Sequence, residues 1–565
     1  MNDFAGVYGV GDPAAALRRL GVEPAWADER VAFGGAPVWS DPSGRVVISG
    51  ELVLDNAPEL RKELELPEAA PGALLAALYR RGGVAALSRA VGMFAVALWE
   101  PAKGELLLLR DGCGARTLYF AREGETCWFA ARLRGLRRCP AVSRQLSLRG
   151  LAAYLSFAYV PGSLTMWRDV AELRPGAALS IPDSRLYDVW SPRPQELEPL
   201  SVEEWTLRLR ALLEEAVRVC LPECGPAAVY LSGGLDSSLV AALAARMAPG
   251  RVASWSISFG EEYPSELEWS GLVARHCGIP HHILTLPPAR MRAGLPATMA
   301  ALDDPIGDPL TVPNYALGLE AGRHARVVLN GEGGDPCFGG PKNSPMLLHA
   351  LYPTGGSREA AYLRAHLKCY DDLPELLSPE ALAALRKDGT LEELVRPYLC
   401  DAPPPGQPHF PAYLDRLIHA NVCLKGAGHI LTKVNNLTAE FGLLGRSPLF
   451  DRRVVEASFA IPPEYKLEGA VEKAILKRAV ADLLPPEILH RPKSGMLVPV
   501  QAWFRRDLRR YAAGMLLGRG ARTRPYLNRG LVREWLAYRG NLWPRHGVKL
   551  WLLLSLEIWL RAQEG

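Results

Sequence analysis

The chain has 565 residues, of which 48% are hydrophobic and 22% are charged, and both charge signs are mixed along it. This composition excludes a disordered protein, and the length exceeds what one ordinary hydrophobic core fills, so two domains are expected. The net charge is only +4, and no long run of basic residues occurs. The sequence therefore gives no reason to expect a nucleic-acid partner.

Signals for export or membrane insertion are not visible in the sequence. Residues 1–4 lack a basic segment followed by an apolar stretch, so no signal peptide is expected. The longest apolar run, within residues 548–560, is too short to span a bilayer and predicts a buried helix. The ten cysteines form no CxxC pair, which is typical of buried free thiols in a reducing cytosol. We therefore expect a cytoplasmic protein without a membrane span.

The first predicted domain, residues 1–195, is rich in strands. Apolar runs at 46–48, 94–99, 106–109 and 127–130, separated by glycines, predict strands, and residues 73–79 predict a helix. Residues 191–200 combine prolines with charged side chains, which interrupt both helix and strand. This segment marks the predicted boundary between the two domains.

The second predicted domain, residues 196–565, has a different pattern. Helical stretches alternate with short apolar strands such as 253–259 and 326–329. This alternation predicts an α/β fold with a doubly wound parallel sheet, in which ligands bind at the carboxyl ends of the strands.

Residues 229–240, with the sequence VYLSGGLDSSLV, form the most informative stretch of the chain. An apolar strand enters a turn with two glycines and three serines, and a helix follows directly, an arrangement that suits phosphate binding. An acid inside an anion site needs a cation beside it, so Asp236 is predicted to bind Mg²⁺. An ordinary capped turn is the alternative, but it would not require the whole string. We expect nucleotide contacts from Leu231, Ser232, Gly233, Gly234, Asp236, Ser237 and Ser238.

The loop is not a Walker loop, because no G-x-x-x-x-GK-[ST] motif occurs in the sequence. It resembles instead the loop of pyrophosphate-loop enzymes, which split ATP into AMP and pyrophosphate. A second glycine-rich acidic loop, NGEGGD at 330–335, follows the apolar run 327–329. Further along the chain lie EKAILK at 472–477 and RPKSG at 491–495; the first half contains GMFAVALW at 92–99, LRDG at 109–112 and LRPG at 173–176.

Together these motifs resemble the asparagine synthetase family along nearly the whole chain. For the first half, the resemblance implies a glutaminase-like domain of the layered α+β type found in Ntn hydrolases. Members that hydrolyse glutamine carry a cysteine directly after the initiator methionine, whereas this chain has Asn2 there and its earliest cysteine is Cys113. The family's Asn-Gly-Glu element is Ser49-Gly50-Glu51 here. We therefore expect a catalytically silent first domain.

For the second half, the resemblance implies amide formation through adenylation, with ATP and Mg²⁺ as cofactors. Asp335 is expected to be the second Mg²⁺ ligand beside Asp236. Glu332 could orient or deprotonate the attacking amine, or simply bond within its loop. Lys493 is expected to stabilise charge in both transition states, although a plain surface lysine is the alternative. Further ATP contacts are expected from Gly331 and from Phe259 or Ile257.

The acceptor region departs from asparagine synthetases at two positions, because Leu444 and Pro336 replace acidic residues. With a silent glutaminase domain, this pattern resembles the branches that use an internal amine, above all the macrolactam cyclases of lasso peptides. That branch implies a precursor peptide as substrate, with a leader peptidase and a leader-recognition protein as partners. An ammonia-dependent asparagine synthetase and a β-lactam synthetase-like cyclase remain as alternatives.

Overall fold

The computed structural model describes residues 3–41, 43–194, 200–352, 355–401, 410–491, 495–538 and 545–564. The chain divides into two compact units. Unit 1 comprises residues 1–150, 161–192 and 426–432, and unit 2 comprises residues 151–160, 193–425 and 433–565. The predicted boundary between residues 195 and 196 lies outside the described residues.

Unit 1 contains two six-stranded antiparallel sheets, ordered β10-β8-β9-β1-β3-β2 and β12-β11-β7-β6-β5-β4. The strands are β1 (Ala5–Tyr8), β2 (Pro24–Ala27), β3 (Val31–Gly34), β4 (Val38–Ser40), β5 (Val47–Leu54), β6 (Gly92–Glu100), β7 (Glu105–Arg110), β8 (Tyr119–Glu123), β9 (Thr126–Ala130), β10 (Ala171–Glu172), β11 (Ala177–Ile181) and β12 (Leu186–Asp188).

The two sheets pack face to face, and helices cover their outer faces. Alternate residues of β6 enter different cores: Ala95 and Trp99 face the other sheet, whereas Phe94 and Leu98 face the helical layer. This burial on both faces explains why residues 94–99 form an uninterrupted apolar run. The opposite sheet packs against the first helix, whose Leu17 is fully buried. The predicted layered α+β fold is thus confirmed.

Unit 2 is built on a five-stranded parallel sheet ordered β15-β14-β13-β16-β17. Its strands are β13 (Ala227–Tyr230), β14 (Val252–Ser258), β15 (His281–Thr285), β16 (Val327–Leu329) and β17 (Leu444–Arg446), and a separate hairpin joins β18 (Leu467–Glu468) to β19 (Val471–Glu472). The strand order reverses between β13 and β16, which is the topological switch point of a doubly wound sheet. The predicted parallel α/β fold is confirmed.

The α-helices of the described residues are α1 (Pro13–Arg19), α2 (Ala57–Glu63), α3 (Pro71–Ala86), α4 (Leu148–Phe157), α5 (Val202–Cys220), α6 (Leu235–Met247), α7 (Leu267–His276), α8 (Pro288–Ala301), α9 (Thr311–Ala321), α10 (Gly334–Phe338), α11 (Ser344–Leu351), α12 (Arg358–Ala365), α13 (Leu373–Leu376), α14 (Pro379–Leu385), α15 (Glu392–Leu399), α16 (Tyr413–Ala420), α17 (Thr432–Ala439), α18 (Arg452–Ala460), α19 (Pro463–Lys466), α20 (Ala474–Ala479), α21 (Pro486–His490), α22 (Val500–Arg505), α23 (Arg509–Leu517), α24 (Arg529–Ala537) and α25 (His546–Ala562). A π-helical stretch, Asn421–Leu431, precedes α17.

Helix α25 contains the apolar run predicted to form a buried helix, and its residues from Leu550 to Leu560 are buried. Within the described parts of the chain, no helix has the length and apolar character needed to cross a membrane. The ten cysteines all lie in the described ranges and form no disulfide there, but they are not all buried. Cys224 is exposed, because it lies beyond the end of α5.

Candidate active site

The two glycine-rich loops lie side by side at the switch point of the parallel sheet. The first loop follows β13 and the second follows β16, and these two strands are hydrogen-bonded neighbours. A Cβ on Gly331 would lie 2.6 Å from the carbonyl carbon of Asp236, and a Cβ on Gly334 would overlap the Asp236 carboxylate. Glycine at these two positions therefore allows the second loop to contact the start of α6.

The first loop is held in shape by its own serines. The Ser232 N–H donates to Ser237 Oγ at 3.1 Å, the two hydroxyls lie 3.0 Å apart, and the Gly234 N–H points at Ser232 Oγ at 3.3 Å. Leu231 is buried, and its N–H donates to the Trp255 carbonyl at 2.9 Å. These hydrogen bonds within the loop fix its backbone shape.

The start of α6 retains the features of an anion site. The helix begins after Gly234, an N-cap residue without a side chain that could accept from the N–H groups of the first turn. The hydroxyl of Ser238, in the first turn, is buried and has no hydrogen-bond partner among the described residues. These features fit the predicted binding of a nucleotide phosphate.

Asp236 and Asp335, the two predicted Mg²⁺ ligands, meet at a single lysine. Lys473 Nζ lies 2.8 and 2.6 Å from the two carboxylate oxygens of Asp236 and also forms an ion pair with Asp335. Burial alone would lower the pKa of Lys473, but the two carboxylates outweigh burial and raise it. The lysine therefore stays charged between the two acids.

This pair of acids fits a magnesium ion. The described residues contain no group of three or more His, Cys, Asp or Glu side chains that could hold a metal. Mg²⁺, however, is usually bound through one or two carboxylates, with water and substrate phosphates completing its shell. Because Asp236 and Asp335 both reach one ammonium group, one cation can contact both.

Glu332 belongs to a second group of charged residues beside the nucleotide loops. The Glu332 N–H donates to Asn330 Oδ1 at 3.0 Å, which fixes the loop backbone. The charge of Glu332 acts on Lys433 of α17, whose Nζ lies 3.1 Å from Asp308 Oδ2. Burial lowers the pKa of Lys433, but Asp308 and Glu332 raise it above its usual value. We name Glu332, Lys433 and Asp308 the acceptor cluster.

Lys493 lies outside the described residues, but the segment that leads to it contacts the first loop. The Arg491 guanidinium donates to the Gly233 carbonyl at 3.0 Å and to Glu266 at 2.9 Å. It also lies over the Trp269 ring, 4.9 Å from the ring centroid. The RPKSG motif therefore begins at the predicted phosphate site.

The predicted adenine contacts have neighbours typical of packing residues. Phe259 follows β14 and is buried, with its ring edge-on to Trp503 at 5.7 Å, and Ile257 is also buried. Their contact with adenine stays a prediction. Sequence reasoning gave no individual role to Lys473, although it singled out the EKAILK motif that contains this residue, and it did not single out Asp308.

In unit 1, the LRDG motif stabilises the fold through buried polar contacts. Arg110 is buried, forms an ion pair with Glu172 at 2.7 Å and donates to the Leu173 carbonyl at 2.7 Å. The Asp111 carboxylate accepts N–H bonds from three backbone positions, and burial, its largest influence, raises its pKa. Ser49, in the altered Asn-Gly-Glu element, is buried and donates to the Pro37 carbonyl at 3.1 Å.

Unit 1 contains three cysteines, Cys113, Cys127 and Cys139, and all three are buried. Burial raises the pKa of Cys127 to about 12 and that of Cys139 to about 11. Because the thiolate is the reactive form of cysteine, burial disfavours the nucleophilic form of these two side chains.

Comparison with known proteins assigns the family. Residues 208–561 match the family described as Asparagine synthase, and residues 25–188 match the Glutamine amidotransferase domain. The chain belongs to the asparagine synthetase family. It is therefore an asparagine synthetase-like, ATP-dependent amide-forming enzyme in its general class.

Several members are similar over most of the chain. Asparagine synthetase [glutamine-hydrolyzing] 1 of Bacillus subtilis is 25% identical, covering 94% of this chain and 87% of that protein. A putative asparagine synthetase of Mycobacterium tuberculosis is 30% identical, covering 81% and 76%. Among solved structures, the NH3-dependent NAD synthetase of Campylobacter jejuni is 15% identical, covers 33% of this chain and 93% of that one, and has a TM-score of 0.19, too low for any argument.

Proposed function

We propose that this asparagine synthetase family member closes the macrolactam ring of a lasso peptide. It would adenylate an Asp or Glu side chain of a precursor peptide, and the peptide's N-terminal amine would then displace AMP. The observation that carries the proposal is the set of residues on the acceptor side of the site. The acceptor cluster stands beside the nucleotide loops, whereas two positions that are acidic in asparagine synthetases hold Leu444 and Pro336.

The two apolar residues change what the site can recognise. Leu444 begins the edge strand β17, and Pro336 is buried in α10, directly after Asp335. Neither side chain can pair with the ammonium or carboxylate group of a free amino acid, and leaving such a group unpaired on binding is costly. The site therefore favours a larger and less charged acceptor, such as a peptide.

The first step would form the activated carboxylate. An oxygen of the peptide carboxylate attacks the α-phosphorus of ATP, and the bond to pyrophosphate breaks. Asp236 and Asp335 would hold Mg²⁺, which would offset negative charge on the leaving pyrophosphate. Lys493 would add a positive charge at the same place.

The second step would form the amide. The amine nitrogen attacks the activated carbonyl carbon, the bond to AMP breaks, and the proton lost from the nitrogen passes to Glu332. Lys433, which is itself paired with Asp308, would hold Glu332 in place through charge. Because both reacting groups belong to one folded peptide, enforced proximity supplies much of the rate. By resemblance, a leader peptidase and a leader-recognition protein would prepare that peptide.

The test incubates the protein with Mg²⁺ and ATP in two reactions, one with a leader-free precursor peptide and one with aspartate plus ammonium. We expect AMP release and a peptide lighter by one water, detected by mass spectrometry. Free asparagine with an unchanged peptide would support the ammonia-dependent synthetase instead. No AMP in either reaction would contradict the proposal.

A variant separates the two steps. Glu332→Gln should retain peptide-dependent exchange of labelled pyrophosphate into ATP, which reports adenylation, but should lose ring closure by about 100-fold. Glu456→Gln, which alters a partly exposed ion pair with Arg452 on α18, is the matched control and should leave both readouts unchanged. Equal loss of exchange and ring closure in Glu332→Gln would argue against the assigned role of this residue.

A further inference from the structure

A buried ammonium group occupies the space between the two carboxylates that are expected to bind Mg²⁺. Only 4% of the Lys473 side chain is exposed, compared with 13% for Asp236 and 26% for Asp335. Lys473 contacts both oxygens of Asp236 and one oxygen of Asp335. One buried ammonium group thus contacts both carboxylates of the predicted metal site.

The backbone fixes Lys473 in this position. It follows the β18–β19 hairpin and stands at the N-cap of α20 with φ of 53°, in the left-handed region. Non-glycine residues rarely adopt this conformation, and it persists where the surrounding structure requires it. On the other side, the backbone at Gly334 lies against Asp236, so that carboxylate has little space to move away.

Without a cation, the two carboxylates would repel each other strongly, because they are close and mostly shielded from water. Lys473 removes that repulsion. A bound Mg²⁺ would remove it too, and it would need the same carboxylate oxygens at about 2.1 Å. The ammonium and the metal ion therefore compete for one place.

We propose that Lys473 is a stand-in cation. It holds Asp236 and Asp335 at the spacing of metal ligands before nucleotide binds, and it yields this place to the Mg²⁺ that arrives with ATP. The displaced ammonium then pairs with phosphate oxygens, so metal and nucleotide bind cooperatively. This inference rests on the proposed metal-ligand roles of the two aspartates, but not on the identity of the acceptor.

The test measures binding of Mn²⁺, a paramagnetic substitute for Mg²⁺, without nucleotide, by electron paramagnetic resonance. Lys473→Met removes the competing charge and should tighten Mn²⁺ binding by at least about tenfold. Lys549→Met is the matched control, because Lys549 forms an ion pair with Asp372 and is also mostly buried. The control should bind Mn²⁺ as the wild type does. Unchanged or weaker Mn²⁺ binding in folded Lys473→Met would overturn the proposal.

Thermal unfolding of the same variants gives an independent readout. Lys473→Met should have a lower Tm than the wild type, and adding Mn²⁺ should raise the Tm of this variant more than it raises the Tm of the wild type. Adding Asp236→Asn to Lys473→Met should abolish both the tighter Mn²⁺ binding and the larger increase in Tm. A gain that survives Asp236→Asn would mean that the metal binds elsewhere.

If Lys473→Met does not fold, the wild type still permits a test. Reductive methylation of Lys473, followed by peptide mass spectrometry, should speed up when Mn²⁺ is added, because the ammonium leaves its two carboxylates. An unchanged rate at saturating Mn²⁺ would overturn the proposal. None of these measurements uses a peptide substrate or turnover, so failure of ring closure and failure of this inference are distinguishable.

Discussion

Within the first loop, Gly233 is the position at which an added methyl group should be most destabilising. Its φ is 76°, and a Cβ there would lie 2.5 Å from Ser270 N and 2.6 Å from the Trp269 carbonyl carbon. These are backbone atoms, so they cannot rotate away. The Gly233 carbonyl also accepts the hydrogen bond from Arg491.

The magnitude follows from the geometry. To reach an ordinary contact of 3.4 Å, the new Cβ must move by about 0.9 Å, and the loop backbone moves with it. The left-handed conformation costs a non-glycine residue about 1–2 kcal/mol, and overpacking costs about 1–3 kcal/mol. Gly233→Ala should therefore lower the free energy of unfolding by roughly 2–5 kcal/mol. A displacement of about 1 Å at the phosphates should lower the rate of pyrophosphate exchange by about 100-fold.

The neighbouring glycine provides the control. Gly234 has φ of −77°, and a Cβ there would meet only Ser232 Oγ, at 3.4 Å. Gly234→Ala keeps the backbone N–H and should change the free energy of unfolding by less than about 0.5 kcal/mol. Urea denaturation and pyrophosphate exchange measure both variants. Wild-type exchange in Gly233→Ala, or equal losses in the two variants, would refute the steric argument.

Three further predictions concern other parts of the chain. Burial lowers the pKa of His419 to about 4, so between pH 6.5 and 4 only the unfolded state takes up this proton, and stability should fall by up to about 3 kcal/mol as the pH drops through that window. His419→Phe should flatten that part of the pH dependence measured by urea denaturation, and an unaltered slope would contradict the assignment. Lys433→Met leaves the carboxylate of Asp308 without its buried partner and should cost about 1–3 kcal/mol by the same measurement, with ring closure impaired more than pyrophosphate exchange; equal impairment would count against the acceptor cluster. Asn2→Cys should release no ammonia from glutamine, because the family's Asn-Gly-Glu element is also altered, to Ser49-Gly50-Glu51, and robust ammonia release would refute the view that unit 1 is silent.

Sequence patterns were sufficient to predict secondary structure that depends on residues close together along the chain. The continuous apolar run at 94–99 and the strand-turn-helix pattern at 229–240 depend on local backbone geometry, and both segments form the predicted elements. The long π-helical stretch Asn421–Leu431 was not predicted, because its residues have no pattern that separates it from an α-helix.

Partners that are distant in sequence could not be predicted in the same way. Lys473 lies 237 positions after Asp236, and no periodicity relates the two. The same holds for Lys433 and Asp308, which are 125 positions apart. The strand order was also invisible, because alternating helices and strands fix a parallel sheet without fixing which strands are adjacent.

The strand order separates the two proposed Mg²⁺ ligands from two residues on the proposed acceptor side, Lys433 and Leu444. Asp236 and Asp335 are positioned by the loops after β13 and β16, and Lys473 comes from the separate β18–β19 hairpin. Within the acceptor cluster, Lys433 belongs to α17, while Leu444 belongs to the edge strand β17. Substitutions on α17 or β17 can therefore reshape acceptor binding without moving the carboxylates at the switch point. Variants of these two elements should accordingly alter ring closure far more than pyrophosphate exchange, whereas Asp236→Ala or Asp335→Ala should abolish both.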